Sequence, residues 1–90
     1  MAHPELVAYR RTPTFTESTV PAGLLRDHRT KDGVYGRIVV EQGQLRYTDA
    51  HGEQLLKAGD VAVAAPGQTH AVEPVGEVRF HVAFCRAAGG

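Results

Sequence analysis

Short apolar runs of strand length alternate with turn signals along this chain. The segments that the pattern predicts as strands are residues 6–9, 22–28, 34–41, 44–48, 53–56, 61–65, 69–72 and 77–86. Most are rich in β-branched and aromatic residues, and pairs such as Asp32-Gly33 and Gln42-Gly43 separate them. No window carries a sustained apolar stripe at the helical period of about 3.6 residues. The pattern therefore predicts an all-β barrel or sandwich.

The segment from residue 59 to residue 73, GDVAVAAPGQTHAVE, is the most informative part of this pattern. It reads as a strand at 61–65, a tight turn at Pro66-Gly67 and a returning strand at 69–72. His70 stands just after that turn, so the chain reversal fixes the direction of its imidazole. We expect the chemistry of the protein to centre on this residue.

Length and composition favour one folded domain without a nucleic-acid or membrane partner. The chain has 90 residues, of which 42% are hydrophobic, and ten Lys and Arg balance ten Asp and Glu. Without a basic excess, nucleic acid and anionic membranes are not expected partners. No apolar run approaches the roughly 20 residues that a membrane span needs. The predicted organisation is an arm or edge strand at 1–8, one barrel at 9–86 and a short tail at 87–90.

The single cysteine, Cys85, excludes an internal disulfide and a thiolate-rich zinc site. Its neighbours on the last strand predict a small core residue rather than a reactive thiol. Since nothing in the sequence indicates an oxidising compartment, we expect a cytoplasmic protein.

Two histidines are candidate metal ligands because each lies beside an apolar run rather than in a charged segment. His28 ends one predicted strand and His70 begins another, so the two can converge inside a barrel. A third ligand would come from Glu73 or His81. Simple strand alternation favours neither residue, since Glu73 faces away from His70 and His81 faces away from Phe80 and Val82. Each histidine can instead be a hydrogen-bonded structural residue.

Tyr35 and Arg37 alternate on one face of a predicted strand and are candidate ligand-binding residues at a pocket mouth. Cross-strand packing is the competing interpretation.

The segment at residues 59–73 resembles the second sequence motif of the cupin superfamily. That motif combines a Gly-Asp turn, an apolar strand, a Pro-Gly turn and a metal-binding histidine, and Gly59-Asp60, Pro66-Gly67 and His70 match it. More closely, HRTKDGVYGR at residues 28–37 with Gly43-Gln44-Leu45 is similar to the small cupin domain associated with tellurite-resistance proteins. The resemblance extends over about residues 9–86 and implies a double-stranded β-helix with a divalent metal in the barrel.

The first cupin motif, by contrast, is not preserved. Counting back from Gly43 places its glutamate near Gly36 and its histidine pair near Thr30 and Asp32, and none of the three is a ligand type found there in cupins. Only His28, in a shifted register, can substitute. The resemblance thus does not support an oxygenase site with three histidines and one glutamate.

The sequence predicts a small metal-binding cupin that serves as a binding or metalloid-response protein. Zinc or nickel is the expected ion, with iron as an alternative, and a small molecule or an oxyanion such as tellurite is the expected ligand. A small metal-dependent enzyme, of isomerase or oxygenase type, is the alternative function. We also expect a homodimer, because an edge strand at 6–9 would be open to a second copy.

Overall fold

The computed structural model describes residues 5–26 and 28–88, and these residues form an antiparallel β structure. The strands are β1 (Leu6–Arg11), β2 (Phe15–Thr16), β3 (Tyr35–Asp49), β4 (Gly52–Lys57), β5 (Val61–Ala64) and β6 (His70–Ala87). One short 3₁₀ helix, Ala22–Leu25, lies between β2 and β3. The predicted all-β class is confirmed.

Two long strands organise the sheet. The order β1-β6-β3-β4 places β3 and β6 at the centre, while β2 pairs with β6 and β5 pairs with β3. The pairing of β3 with β6 runs from Tyr35 opposite Cys85 to Asp49 opposite His70. Register shifts near Gln42 and Gly43 interrupt this ladder, and such bulges bend a strand. Each long strand can therefore serve both halves of the barrel.

Several predicted element boundaries need correction. Segments 34–41 and 44–48 were expected as two strands and belong to one strand, β3, and segments 69–72 and 77–86 likewise belong to β6. The predicted strand at 22–28 is wrong, since its first residues form the 3₁₀ helix and His28 makes only an isolated bridge. Pro21 starts this helix, with its carbonyl oxygen accepting a hydrogen bond from the Leu24 amide at 3.0 Å.

The core lies inside the barrel and follows the alternation of the strands. In β3, Gly36, Ile38 and Val40 are buried, and the residues between them are less so. Buried residues from β3, β4, β5 and β6 complete the core: Leu45, Tyr47, Leu56, Ala62, Ala64, Val72, Val78, Phe80 and Val82. Cys85 is fully buried as well, which confirms the expectation of a core residue.

Strand β1 forms one edge of the sheet, and its pairing partner is β6. The predicted edge strand at 6–9 is confirmed and extends to Arg11, so it joins the sheet rather than standing apart as an arm. Residues 1–4 of the predicted arm and residues 89–90 of the predicted tail lie outside the described residues. Over residues 5–26 and 28–88, no helix has the length and apolar character needed to cross a bilayer. The homodimer stays a prediction.

Candidate functional site

His28 and His70 meet at one end of the barrel through their backbones. The amide of His28 donates to the carbonyl oxygen of His70 at 2.7 Å, and the amide of His70 donates back to His28 at 2.8 Å. This reciprocal pair is an isolated antiparallel bridge. In an antiparallel pair, directly opposed residues project to the same side of the sheet, so the bridge brings the two imidazoles together.

The turn before β6 orients His70. Gly67 has a φ of 72°, a conformation that favours glycine, and the Gln68 amide donates to the Ala65 carbonyl at 3.1 Å. The Gln68 side chain closes the same turn by accepting the Ala65 amide at 3.3 Å. The Gln68 carbonyl oxygen then lies 3.2 Å from Nδ1 of His70. The Pro-Gly turn therefore aims the imidazole, as the sequence predicted.

The two imidazole rings approach each other through one nitrogen atom of each ring. Nδ1 of His28 lies 3.2 Å from Nε2 of His70, with the rings edge to face at 77°. Because Nδ1 of His70 has a carbonyl oxygen as its neighbour, Nδ1 carries the proton and Nε2 carries a lone pair. This Nε2 accepts a hydrogen bond from His28 Nδ1–H, or it joins His28 Nδ1 in coordinating a cation.

Burial favours the neutral, metal-ligating form of His28. Desolvation lowers the pKa of His28, and the neighbouring His70 imidazole lowers it further. His70 itself is 4% exposed. A neutral imidazole offers the lone pair that a metal ion requires.

The histidine pair borders an apolar cavity of about 220 Å³ inside the barrel, which we call the barrel cavity. Its apolar wall consists mainly of Phe15, Leu24, Ile38, Phe80, Val82 and Phe84. Thr30, which is buried, adds a hydroxyl group near Ala65 at 3.5 Å. Among the described lining residues, His28 and His70 are the only titratable ones.

The structure does not bring Glu73 or His81 to this pair. Glu73 is exposed on β6, where it forms an ion pair with Arg46, and the partly buried His81 binds Glu41 at 2.7 Å. Within residues 5–26 and 28–88, no group of three or more His, Cys, Asp or Glu side chains could hold a metal ion. The predicted third ligand is therefore not provided by either residue, because both side chains point away from the barrel interior.

Tyr35 and Arg37 also lie away from the barrel cavity. Both alternate with Gly36, which is buried and lines the cavity, so strand parity turns them to the opposite face of β3. The expectation that Tyr35 and Arg37 bind a ligand at the mouth of the barrel cavity is therefore corrected, because neither side chain lines that cavity.

Two further residues of the barrel cavity had a positional signal in the sequence but no chemical one. Thr30 and Gly36 both line the barrel cavity, at or beside the positions where the first cupin motif carries ligands. A Cβ atom built on Gly36 would lie 3.6 Å from the Thr30 side chain, which shows how close the two positions are. The motif count had indicated these positions, although their residue types had no chemical signal of their own.

Tyr47 packs beside the pair. Its ring stacks on His70 with centroids 6.0 Å apart, and its hydroxyl group is buried without a hydrogen-bond partner among the described residues. Burial raises the pKa of this phenol. The stacked Tyr47 ring therefore restricts the orientation of the His70 imidazole.

Comparisons with known proteins place the chain in a family. The model of the TehB-like domain matches residues 10–82. The uncharacterized protein YeaR of Escherichia coli K12 is 32% identical over 87 residues, with 83% of this chain and 73% of YeaR covered.

Solved structures agree with this assignment. A crystal structure of an E. coli K12 protein superposes with a TM-score of 0.85 at 28% identity, over 97% of both chains. TehB from Haemophilus influenzae matches with a TM-score of 0.82 at 23% identity, over 92% of this chain and 32% of TehB.

The same comparison defines the fold. A cupin protein from Bacteroides fragilis matches with a TM-score of 0.56 at 13% identity, over the whole of this chain and 89% of that one. At this identity the likeness concerns the fold alone, and it agrees with the antiparallel barrel described above. The chain therefore belongs to the TehB-like domain family and has the cupin fold.

Proposed function

We propose that this chain is a small binding protein that holds a divalent metal ion, zinc or nickel, between His28 and His70 and captures a small anionic ligand beside it. The observation that carries the proposal is the 3.2 Å separation of His28 Nδ1 from His70 Nε2. Two nitrogen atoms that share a tetrahedral zinc ion at about 2.0–2.1 Å lie about 3.3 Å apart. The pair is thus already spaced for joint coordination.

The surroundings of His70 fit a metal ligand as well. Metal-binding histidines usually donate their other ring N–H to a carbonyl or carboxylate oxygen, which fixes the tautomer. The Gln68 carbonyl oxygen has this relation to His70 Nδ1. Coordination by His28 Nδ1 places the proton of that ring on Nε2.

Two imidazoles leave most of the coordination sphere of an ion open. With no third protein ligand among the described residues, we expect exchangeable binding rather than a permanent structural metal. A bound ion would supply positive charge that attracts an anion at the open positions. The histidines hold the ion, and the apolar wall of the barrel cavity limits the access of water.

Binding is better supported than catalysis. A hydrolytic or isomerising enzyme needs a general acid or base near the reacting atoms. Three titratable side chains that could take this role, Tyr35, Glu73 and His81, do not line the barrel cavity. We therefore assign ligand capture rather than turnover.

The test is a titration of tag-free protein with Zn²⁺ and Ni²⁺ by isothermal calorimetry. We expect one ion per chain with micromolar affinity, and a His28→Ala/His70→Ala variant should lose at least about a hundredfold in affinity. The single variants should fall close to the double variant, because each removes half of a two-ligand site.

A His81→Ala variant is the matched control, since it removes one imidazole outside the barrel cavity and should bind zinc as the wild type does. Equal zinc affinity in the wild type and the double variant would disprove the proposed site. In that case the 3.2 Å contact is a plain Nδ1–H to Nε2 hydrogen bond, which imidazole ¹⁵N chemical shifts identify independently.

A further inference from the structure

A second cavity lies next to the barrel cavity and shares part of its wall. This outer cleft, of about 260 Å³, runs between β1 and the segment around residues 28–34. His28, Thr30 and Phe84 line both spaces. The two spaces therefore adjoin at these three residues, with His28 at the boundary.

The two spaces differ sharply in charge. Arg10, Arg29 and Lys31 line the outer cleft, and the described residues along it include no carboxylate. None of these three cations forms an ion pair within the described part of the chain, and Arg29 donates to a neutral group, the Thr69 hydroxyl, at 3.1 Å. Three cations around one cleft, without an ion-pair partner among residues 5–26 and 28–88, create a positive potential that attracts anions.

The barrel cavity is apolar by contrast. Its wall carries three phenylalanine side chains and several aliphatic ones, and the histidine pair supplies the titratable side chains among the described lining residues. An apolar cavity of about 150 Å³ is large enough to take up benzene. The barrel cavity, at about 220 Å³, therefore has room for a phenyl ring or a short alkyl chain.

We infer that the ligand is a small amphiphilic carboxylate, with its anionic head in the outer cleft beside Arg10, Arg29 and Lys31 and its apolar tail in the barrel cavity. This inference deepens the proposed function by naming the class of anion. An inorganic oxyanion fills only the polar part of the site and leaves the apolar cavity without a partner. A neutral or cationic molecule with the same tail gains nothing from the three cations.

The test compares three six-carbon probes that differ in head group, hexanoate, 1-hexanol and hexylamine, with acetate, which has the carboxylate head without the tail. Binding to the full chain is measured by ¹H–¹⁵N correlation spectra and calorimetry, first in the presence of a chelator. Hexanoate should bind at least about threefold tighter than 1-hexanol because of the head group. It should also bind on the order of tenfold to a hundredfold tighter than acetate because of the buried methylene groups. Hexylamine should bind more weakly than 1-hexanol.

Two variants locate the head and the tail. Arg10→Gln/Lys31→Gln should weaken hexanoate binding about three- to tenfold, leave 1-hexanol binding unchanged and reduce the salt dependence. Gly36→Ala adds a methyl group at ordinary contact distances of 3.6–3.8 Å and should shift the preference from hexanoate towards butanoate. The control is Arg37→Gln, because it removes a cation from β3 that lines neither space and should change nothing.

The inference is overturned if hexanoate fails to bind, if 1-hexanol or hexylamine binds as tightly, or if acetate matches hexanoate. Loss of binding in Arg37→Gln to the extent seen in the cleft variant would also overturn it. The metal proposal is judged separately by the zinc titration. Hexanoate binding in chelator without any zinc binding refutes the metal site alone, and zinc binding without head-group discrimination refutes the carboxylate site alone.

Discussion

The imidazole of His70 is fixed by its neighbours in the chain before any ligand arrives. The Gln68 carbonyl oxygen holds Nδ1, the Tyr47 ring stacks on one side and His28 Nδ1 stands opposite Nε2. Since these contacts come from the turn, β3 and an isolated bridge, the ring has little freedom to lose when it binds. Preorganisation of this kind lowers the entropic cost of ligand capture.

Sequence reasoning at the residue scale succeeded where the signal was local. Pro66-Gly67 followed by His70 is a turn with defined chemistry, and parity correctly indicated that Glu73 and His81 face away from the barrel cavity. The pairing of His28 with His70 depends on a bridge between residues 42 positions apart, which no local pattern specifies. Arg10 of the outer cleft likewise lies far before Arg29 and Lys31 in the chain, and no sequence motif connects it to them.

A third metal ligand can be introduced at position 30 by substitution of Thr30. This residue is buried and lines the barrel cavity together with His28 and His70. Thr30→His places a third imidazole among the pair, so we predict zinc binding on the order of tenfold or more tighter than in the wild type. Competition against a chromophoric chelator measures the change.

Asp32→His serves as the matched control for this prediction. It adds a histidine two residues further along the same segment, at an exposed position where the motif count also places a ligand. Unchanged zinc affinity in both variants would show that position 30 is not directed towards the pair.

At the scale of elements, the long strands β3 and β6 hold the site together. Each contributes to both halves of the barrel, and the sequence could not predict this continuity because Gln42-Gly43 reads as a turn. In the structure Gly43 takes a φ of 78° at a register shift, so the chain bulges and continues. The prediction of a strand at 22–28 was wrong because a short apolar run is compatible with either a strand or a helical turn. In the structure the run follows Pro21 and forms a 3₁₀ helix.

The bulge at Gly43 is expected to tolerate no side chain. A Cβ atom there would collide with the carbonyl oxygen of Glu77, in addition to the cost of a positive φ. Gly76 also has a positive φ, 71°, but a Cβ atom built on it meets nothing within 4 Å. We predict that Gly76→Ala destabilises the fold by about 1–2 kcal/mol and that Gly43→Ala costs at least about twice as much.

Urea unfolding of the two variants beside the wild type measures this difference. The comparison isolates the steric part, because both substitutions pay a similar backbone cost. Equal destabilisation by the two variants would mean that β3 and β6 can separate at the bulge without loss.

At the scale of the whole molecule, one carboxylate connects the edge of the sheet to its centre. Glu41, at the outer face of β3, accepts hydrogen bonds from His81 Nδ1 at 2.7 Å and from the Thr14 hydroxyl at 3.0 Å, with Arg11 at 3.9 Å. These contacts join β3, β6, the end of β1 and the segment after it. They therefore fasten the edge strand to the two central strands of the sheet.

The connection makes stability depend on pH with a definite sign. The hydrogen bond from His81, followed by that from Thr14, lowers the pKa of Glu41 below its ordinary value of 4.5. A carboxylate with a lower pKa in the folded state stabilises the fold above its unfolded pKa, and that contribution is lost as the pH falls through the folded value. We predict that Glu41→Gln is less stable than the wild type at pH 7 and that the difference shrinks below about pH 4.5.

Urea unfolding of both proteins between pH 7 and pH 3 measures this convergence, and the ¹³C shift of the Glu41 carboxyl group reports its titration directly. Glu77→Gln removes the same charge from β6 at a side chain without an ion pair among the described residues, which separates the local effect from that of net charge. A constant difference between Glu41→Gln and the wild type down to pH 3 would contradict the prediction. It would mean that the carboxylate of Glu41 contributes through its shape and neutral hydrogen bonds alone, and that β1 is held to the barrel by its backbone pairing with β6.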